Sequence, residues 1–169
     1  MTLGGTSTYD ATHRPGAGIG GARARVKIAF ATVGTAGMTS GDELRMMRMR
    51  SSDRIWKISW ASNSGSTTYA ANLGVYSVAA GGTGAVVDAD LFASALALAS
   101  GGGLTECFVE SGVLADEDRG LQLWELCAVG AGSETADPMV DYDIVLTSTA
   151  TGTDVVEEVL IVVEYTAGD

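Results

Sequence analysis

From residue 23 onward the chain runs in short stretches where apolar and polar residues alternate, separated by clusters of Gly, Ser, Thr and Asp. A period of two is the signature of half-buried strands. In ARVKIAFATV, Val26, Ile28 and Phe30 share one face, and Arg25, Lys27 and Ala29 share the other. ELRMMRMR alternates less cleanly, with Leu44 and Met46 on one parity and Arg45, Met47 and Met49 on the other. In RIWKISW the even-numbered set Trp56, Ile58 and Trp60 is expected to face the core. NSGS at 63–66 reads as a turn, and residues 72–78 read as a further strand with Leu73 and Val75 on one face.

Two stretches break the strand rhythm. Asp88-Ala-Asp-Leu-Phe-Ala-Ser has an N-cap residue, an acidic first turn and no Gly, which predicts a short helix ended by the glycines at 101–103. Leu121, Trp124 and Cys127 recur at spacing three, predicting a second helix within 117–128, weakened at its start by Gly120. At the end, residues 141–149 and 155–165 flank ATGTD and read as an antiparallel hairpin. Residues 159–163 are apolar on both parities, so the last strand is expected to be covered on one side by an opposing sheet and on the other by another chain or loop. Short strands divided by Gly-rich turns favour an all-β fold, a β-sandwich carrying one or two short helices.

Composition agrees with one core. In 169 residues, 46% are hydrophobic and 23 are Gly, against two Pro. A chain of this size can bury about two-thirds of its surface in a single domain. Residues 1–22 are the exception, a polar, Gly-rich stretch with only Leu3, Tyr9 and Ile19 to bury. Such a stretch cannot by itself offset its ordering entropy, so it reads as an extended, flexible N-terminal arm on a body of residues 23–169. Cys107 and Cys127 lack any metal or redox spacing and read as buried apolar residues. No apolar run approaches the roughly 18 residues that span a bilayer, and no membrane partner is expected.

Charge divides the chain. Nine of ten basic residues lie between Arg14 and Lys57, so residues 1–60 carry about +5 and residues 61–169 about −16, giving the net −11. A nucleic-acid partner is not expected of so acidic a body, because phosphate binding rests on Lys and Arg. A basic front on an acidic body instead suggests docking in one orientation. Arg14, Arg23, Arg25, Lys27, Arg45, Arg48 and Arg50 are the candidate partner-binding residues. The alternative for the basic strands, Arg54 and Lys57 included, is cross-strand pairing with Glu157, Glu158 and Glu164. Trp56, Ile58, Trp60, Trp124, Ile161 and Val163 are the candidate core or oligomer seam.

Catalytic chemistry finds little support. His13, the single histidine, lies in the arm without an orienting partner. Gly16-x-Gly18-x-x-Gly21 has the spacing of a dinucleotide fingerprint but follows a polar tail and precedes a strand, the reverse of what that motif needs. The carboxylates at Asp88/Asp90, Asp116–Asp118, Asp137 and Asp141/Asp143 do not follow a calcium-loop pattern. The expectation is a protein without enzymatic activity, cofactor or metal. A carbohydrate-binding sandwich would need exposed loop aromatics, for which Tyr69, Tyr76 and Tyr142 are the candidates.

The basic strand before SSDRI, the VDADLFA segment, LWEL and YDIVLT with a closing aromatic strand together resemble small virion structural proteins of tailed bacteriophages. The likeness is one of order and texture, and it spans most of residues 43–167. It implies a jelly-roll-like β-sandwich that acts as a decoration, or cement, protein on the outer surface of the capsid. The implied partners are the major capsid protein and further copies of the chain, a trimer being favoured. Other virion positions, such as a head fibre base, neck or tail component, are the alternative.

Overall fold

A computed structural model of the chain describes residues 7–8, 24–33, 39–63, 70–78, 84–98, 102–131, 134–150 and 157–168. Nine strands are described: β1 (Ser7–Thr8), β2 (Ala24–Val33), β3 (Glu43–Arg50), β4 (Arg54–Ser62), β5 (Ala71–Ser77), β6 (Val86–Leu96), β7 (Gly102–Glu106), β8 (Asp141–Ser148) and β9 (Glu157–Thr166). A 3-10 turn at Asp116–Asp118 precedes helix α1 (Leu123–Ala131). The strands form two antiparallel sheets, ordered β1-β2-β9-β4-β7 and β3-β8-β5-β6. This is the all-β sandwich that the alternation predicts.

The connectivity is that of one long ribbon rolled up. β2 pairs with β9, β3 with β8, β4 with β7 and β5 with β6, so the first half of the chain runs antiparallel to the second throughout. Rolling that ribbon adds the β4–β9 and β5–β8 pairs and closes each sheet. Eight strands in this order make a jelly-roll-like sandwich. Consecutive strands therefore often lie in opposite sheets. β8 and β9 do so, and the expected hairpin between them is not formed: β8 pairs with β3 and β5, β9 with β2 and β4. Alternation identifies strands but carries no information about which strand each one pairs with.

Ile55, Ile58, Leu73, Val75, Phe92, Phe108, Ile144, Leu146, Ile161 and Val163 fill the space between the sheets. Each large side chain taken fully out of water contributes about 1.5–3 kcal/mol. Phe92 and Phe108 meet with ring centroids 6.0 Å apart, a tilted aromatic pair. Cys107 and Cys127 are buried, as expected, and burial pushes both thiols up to about 12.

The expected helix at Asp88 is instead the middle of β6. Its local helix signals persist in part, since the Asp88 carboxylate accepts a hydrogen bond from the Asp90 N–H at 3.2 Å. Pairing with β5 and burial of Leu91, Phe92 and Ala93 outweigh them, a case of packing overriding local propensity. β6 also approaches so closely at Gly74 that a Cβ there would lie 2.2 Å from the Asp88 carbonyl oxygen. The second helix forms, but later than its periodicity suggests. Gly120 sits at φ +81°, which stops the helix from beginning before it. The start is fixed at Gln122, whose N–H donates to the Glu125 carboxylate at 2.7 Å.

Two strand faces also differ from expectation. The core face of β9 is Val159, Ile161, Val163 and Tyr165, and the residues opposite the last three on β2 are Ala29, Lys27 and Arg25. Ile28 and Phe30 consequently lie on the outer face beside Val162 and Leu160, and Phe30 is 66% exposed. In β4, a register shift between Ile55 and Lys57 puts Trp56 in a bulge. Ile55 and Ile58 face inward, Trp60 packs partly against the core, and Trp56 is left 46% exposed over Gly120.

Candidate functional site: a cationic cleft between two edge strands

Where β2 and β3 come together, the two sheets leave a cavity of about 390 Å³ lined by Arg25, Lys27, Arg48, Met49, Arg50, Asp53, Asp141, Tyr165 and Ala167. β2 supplies Arg25 and Lys27 from the face it turns inward, and β3 supplies the other two cations. The same roll places Asp141 opposite Arg50. Charged side chains pointing inward at an edge strand also discourage edge-to-edge pairing, a role compatible with binding.

The two carboxylates do not neutralise this cleft equally. Asp53 is buried and occupied by backbone: Oδ2 accepts from Arg50 N–H at 3.0 Å, and Oδ1 accepts from Gly168 N–H at 3.2 Å. It holds the β3–β4 turn to the end of β9. Asp141 is exposed. Lys27 Nζ donates to the Arg48 carbonyl. Among the described residues, no carboxylate forms an ion pair with Arg25, Lys27 or Arg50.

Arg48 reaches both ways. It lines the cleft, and its Nε donates to Asp143 Oδ1 at 3.0 Å on β8. Arg45 Nη1 donates to Asp143 Oδ2 at 2.9 Å, pairs with Glu43 at 3.3 Å, and lies 5.8 Å from the centroid of the Tyr76 ring. A register shift at Met46 brings Arg45 and Arg48 to the same carboxylate. Burial works to raise the Asp143 carboxyl, but the hydrogen bonds and charges of Arg48 and Arg45 outweigh it and hold the group below the usual carboxylate range. The hydrogen bond from Arg48 to Asp143, with the carboxylate's charge, in turn raises the guanidinium.

Of the seven candidate binding residues, the fold gathers Arg25, Lys27, Arg48 and Arg50 around one cavity. Arg45 is drawn away into a structural pair, and Arg14 and Arg23 lie outside the described residues. Cross-strand pairing with the late glutamates is found for Lys57, 3.6 Å from Glu164. Arg54 instead donates to the Gly120 carbonyl at 3.0 Å. Sequence reasoning did not single out Asp143 and Asp53 as partners of the basic strands, and only the rolled register reveals them.

The other expected features divide in the same way. Ile58, Ile161 and Val163 are fully buried, while Trp60 and Trp124 are partly buried against the core. Tyr76 and Tyr142 are buried strand residues, which removes them as glycan-stacking candidates; Tyr69, His13 and the glycine motif at 16–21 lie outside the described residues. Among the described residues, no group of three His, Cys, Asp or Glu is placed to hold a metal ion, and no helix is long and apolar enough to cross a membrane.

No protein-family model and no curated protein matches the chain. Two solved structures share its fold. A chain in the cyanophage Pam1 capsid asymmetric unit aligns with TM-score 0.54 and 16% identity over 94% of each chain. A chain in the capsid of Ralstonia phage GP4 aligns with TM-score 0.58 and 12% identity, covering 86% of this chain and 85% of that one. At these identities the likeness is one of fold.

Proposed function

We propose that the chain is a structural protein of a tailed-phage virion, bound as a decoration protein to the outer surface of the major capsid protein lattice and stabilising the head. The observation that carries this reading is the fold likeness, nearly end to end, to a chain within a phage capsid. The resemblance in sequence texture points the same way. In this role the cationic cleft is the docking face, and its partner is an acidic surface of the lattice. Arg25 and Arg50 keep guanidinium groups without carboxylate partners among the described residues, in a protein whose net charge is −11. Forked guanidinium donors suit oriented pairing with carboxylates across an interface. The arm of residues 1–22 is a second docking element, able to order against a neighbour that supplies the missing surface. Binding a folded lattice stabilises it by mass action, which is what a cement protein does.

The test is re-binding of the full-length chain to capsids purified without it, with occupancy read by cryo-electron microscopy. Wild type is expected at regular sites on the outer surface. Density confined to neck or tail on intact particles would replace decoration with one of the other virion positions.

A further inference from the structure

The groups of the cationic cleft that remain uncommitted inside it are hydrogen-bond donors. Arg25 and Arg50 have no carboxylate partner among the described residues, and a guanidinium offers donors only. Lys27 is engaged with the Arg48 carbonyl and Arg48 with Asp143. Asp53 accepts from two backbone N–H groups, and Asp141 is exposed and forms no ion pair among the described residues. The third free group lies deeper. Tyr165 lines the cleft although only 6% of it is exposed, and its hydroxyl has no hydrogen-bond partner among the described residues. It stands directly opposite Arg25 in the pairing of β2 with β9, so phenol and guanidinium leave the sheet on one face; on its other side it stands opposite the fully buried Ile55. Buried polar groups are nearly always paired. A phenylalanine here would fill the same space without desolvating a hydroxyl, so the hydroxyl calls for an acceptor that the described residues do not supply.

We propose that the cleft is an oxyanion site: a carboxylate or phosphate group enters to the depth of the Tyr165 hydroxyl and is held by it together with the guanidinium forks of Arg25 and Arg50. Such a group brings what the cleft lacks, several acceptor lone pairs and a negative charge, on an edge that a guanidinium grips with two parallel hydrogen bonds. Water would satisfy the hydroxyl but would leave both guanidinium charges unmatched. The cavity of about 390 Å³ lies within the range of about 300–1,000 Å³ typical of clefts that enclose small ligands. It therefore takes a group inserted into it, not a flat surface laid across its mouth. The inference deepens the docking reading and rests on it only in counting a lattice carboxylate among the sources; binding itself is a property of the isolated chain.

Titration calorimetry of the full-length chain at fixed ionic strength tests this, with glutarate standing for acidic side chains, inorganic phosphate for a free anion and chloride as the matched control. At least one of the two oxyanions should bind one to one where chloride gives no saturable heat. The tighter of the two identifies the source, glutarate an acidic partner segment and phosphate a free anion. Tyr165→Phe should weaken that binding about tenfold or more, as for a hydrogen bond to a charged group. Its melting temperature should equal or exceed that of wild type, because the hydroxyl it loses bonds to no described residue in the free chain. Arg25→Gln and Arg50→Gln should each weaken binding at least as much with folding unchanged. No saturable binding of either oxyanion, Tyr165→Phe binding as tightly as wild type, or Tyr165→Phe melting well below wild type would each overturn the proposal. Oxyanion binding by a chain that fails to occupy capsids would uphold the site and overturn the docking reading alone.

Discussion

Arg119 and the pair Arg25 and Arg50 carry the same guanidinium in opposite circumstances. Arg119, the lone cation of the acidic half, has its donors engaged: Asp116 at 2.9 Å, Glu106 at 2.7 Å and the Trp56 carbonyl at 2.9 Å, with the Phe108 ring centroid 4.7 Å away. It ties the 106–120 segment to β4. Burial works to lower its affinity for the proton, but the hydrogen bonds it donates to Glu106 and Asp116, with their charges, overcome this and raise it. Arg25 and Arg50 line a cavity without such partners among the described residues. The cation surrounded in sequence by carboxylates serves the fold, whereas in the basic half Arg45 and Arg48 share Asp143 and Arg25 and Arg50 have no carboxylate partner among the described residues. Regional charge alone would not have separated them.

Mutations should divide along that line, and the largest stability effect is expected at Asp143, which stands between the two cases. Asp143→Asn removes the charge shared by Arg45 and Arg48 and should destabilise the protein by about 2–3 kcal/mol, as for hydrogen bonds to charged groups. For a domain of this size that is roughly 5–10 °C in Tm by calorimetry at pH 7. Because the folded-state value of Asp143 is depressed, its contribution is present above the unfolded value near 4 and is lost as pH falls through the lower folded value. The gap in Tm between wild type and Asp143→Asn should thus be widest at neutral pH and narrow by pH 3. A constant gap would mean that shape rather than charge sets the effect.

Arg119→Ala comes next, at about 1–2 kcal/mol, since Asp116 and Glu106 are partly solvated and tolerate the loss. Protease nicking within 106–120 should increase with it. The smallest stability effect is expected for Arg25→Glu with Arg50→Glu, within about 0.5 kcal/mol of wild type by chemical denaturation, as for surface groups outside any network. A large loss in that double variant would turn the cleft into a structural device and end the contrast with Arg119.

The sandwich was legible because alternation is local. β4 and β5 fall within two residues of their expected ends, and the apolar run 159–163 lies in β9, with Val159, Ile161 and Val163 buried against the core and Leu160 and Val162 half-buried on the outer face. What failed depended on partners remote in sequence. The helix signals at Asp88 are genuine but yield to burial against β5, and β8 and β9 belong to different sheets. Phe30 faces outward because the register with β9 assigns the inner face to Arg25, Lys27 and Ala29. The candidate site shows the same division. Four of the basic candidates, Arg25, Lys27, Arg48 and Arg50, line the cleft, but its assembly needs two strands from two sheets. The removal of Arg45 needs Asp143, 98 residues away.

The central claim is that the cations of the cleft dock the chain onto its lattice, and occupancy of the Arg25→Glu, Arg50→Glu variant on capsids tests it most directly. Wild type should bind and should weaken as salt rises, because exposed charges are screened over about 8 Å at physiological ionic strength. The variant, folded to the same Tm, should leave the sites largely empty even at low salt. Full occupancy by the variant, with unchanged salt dependence, would contradict the account.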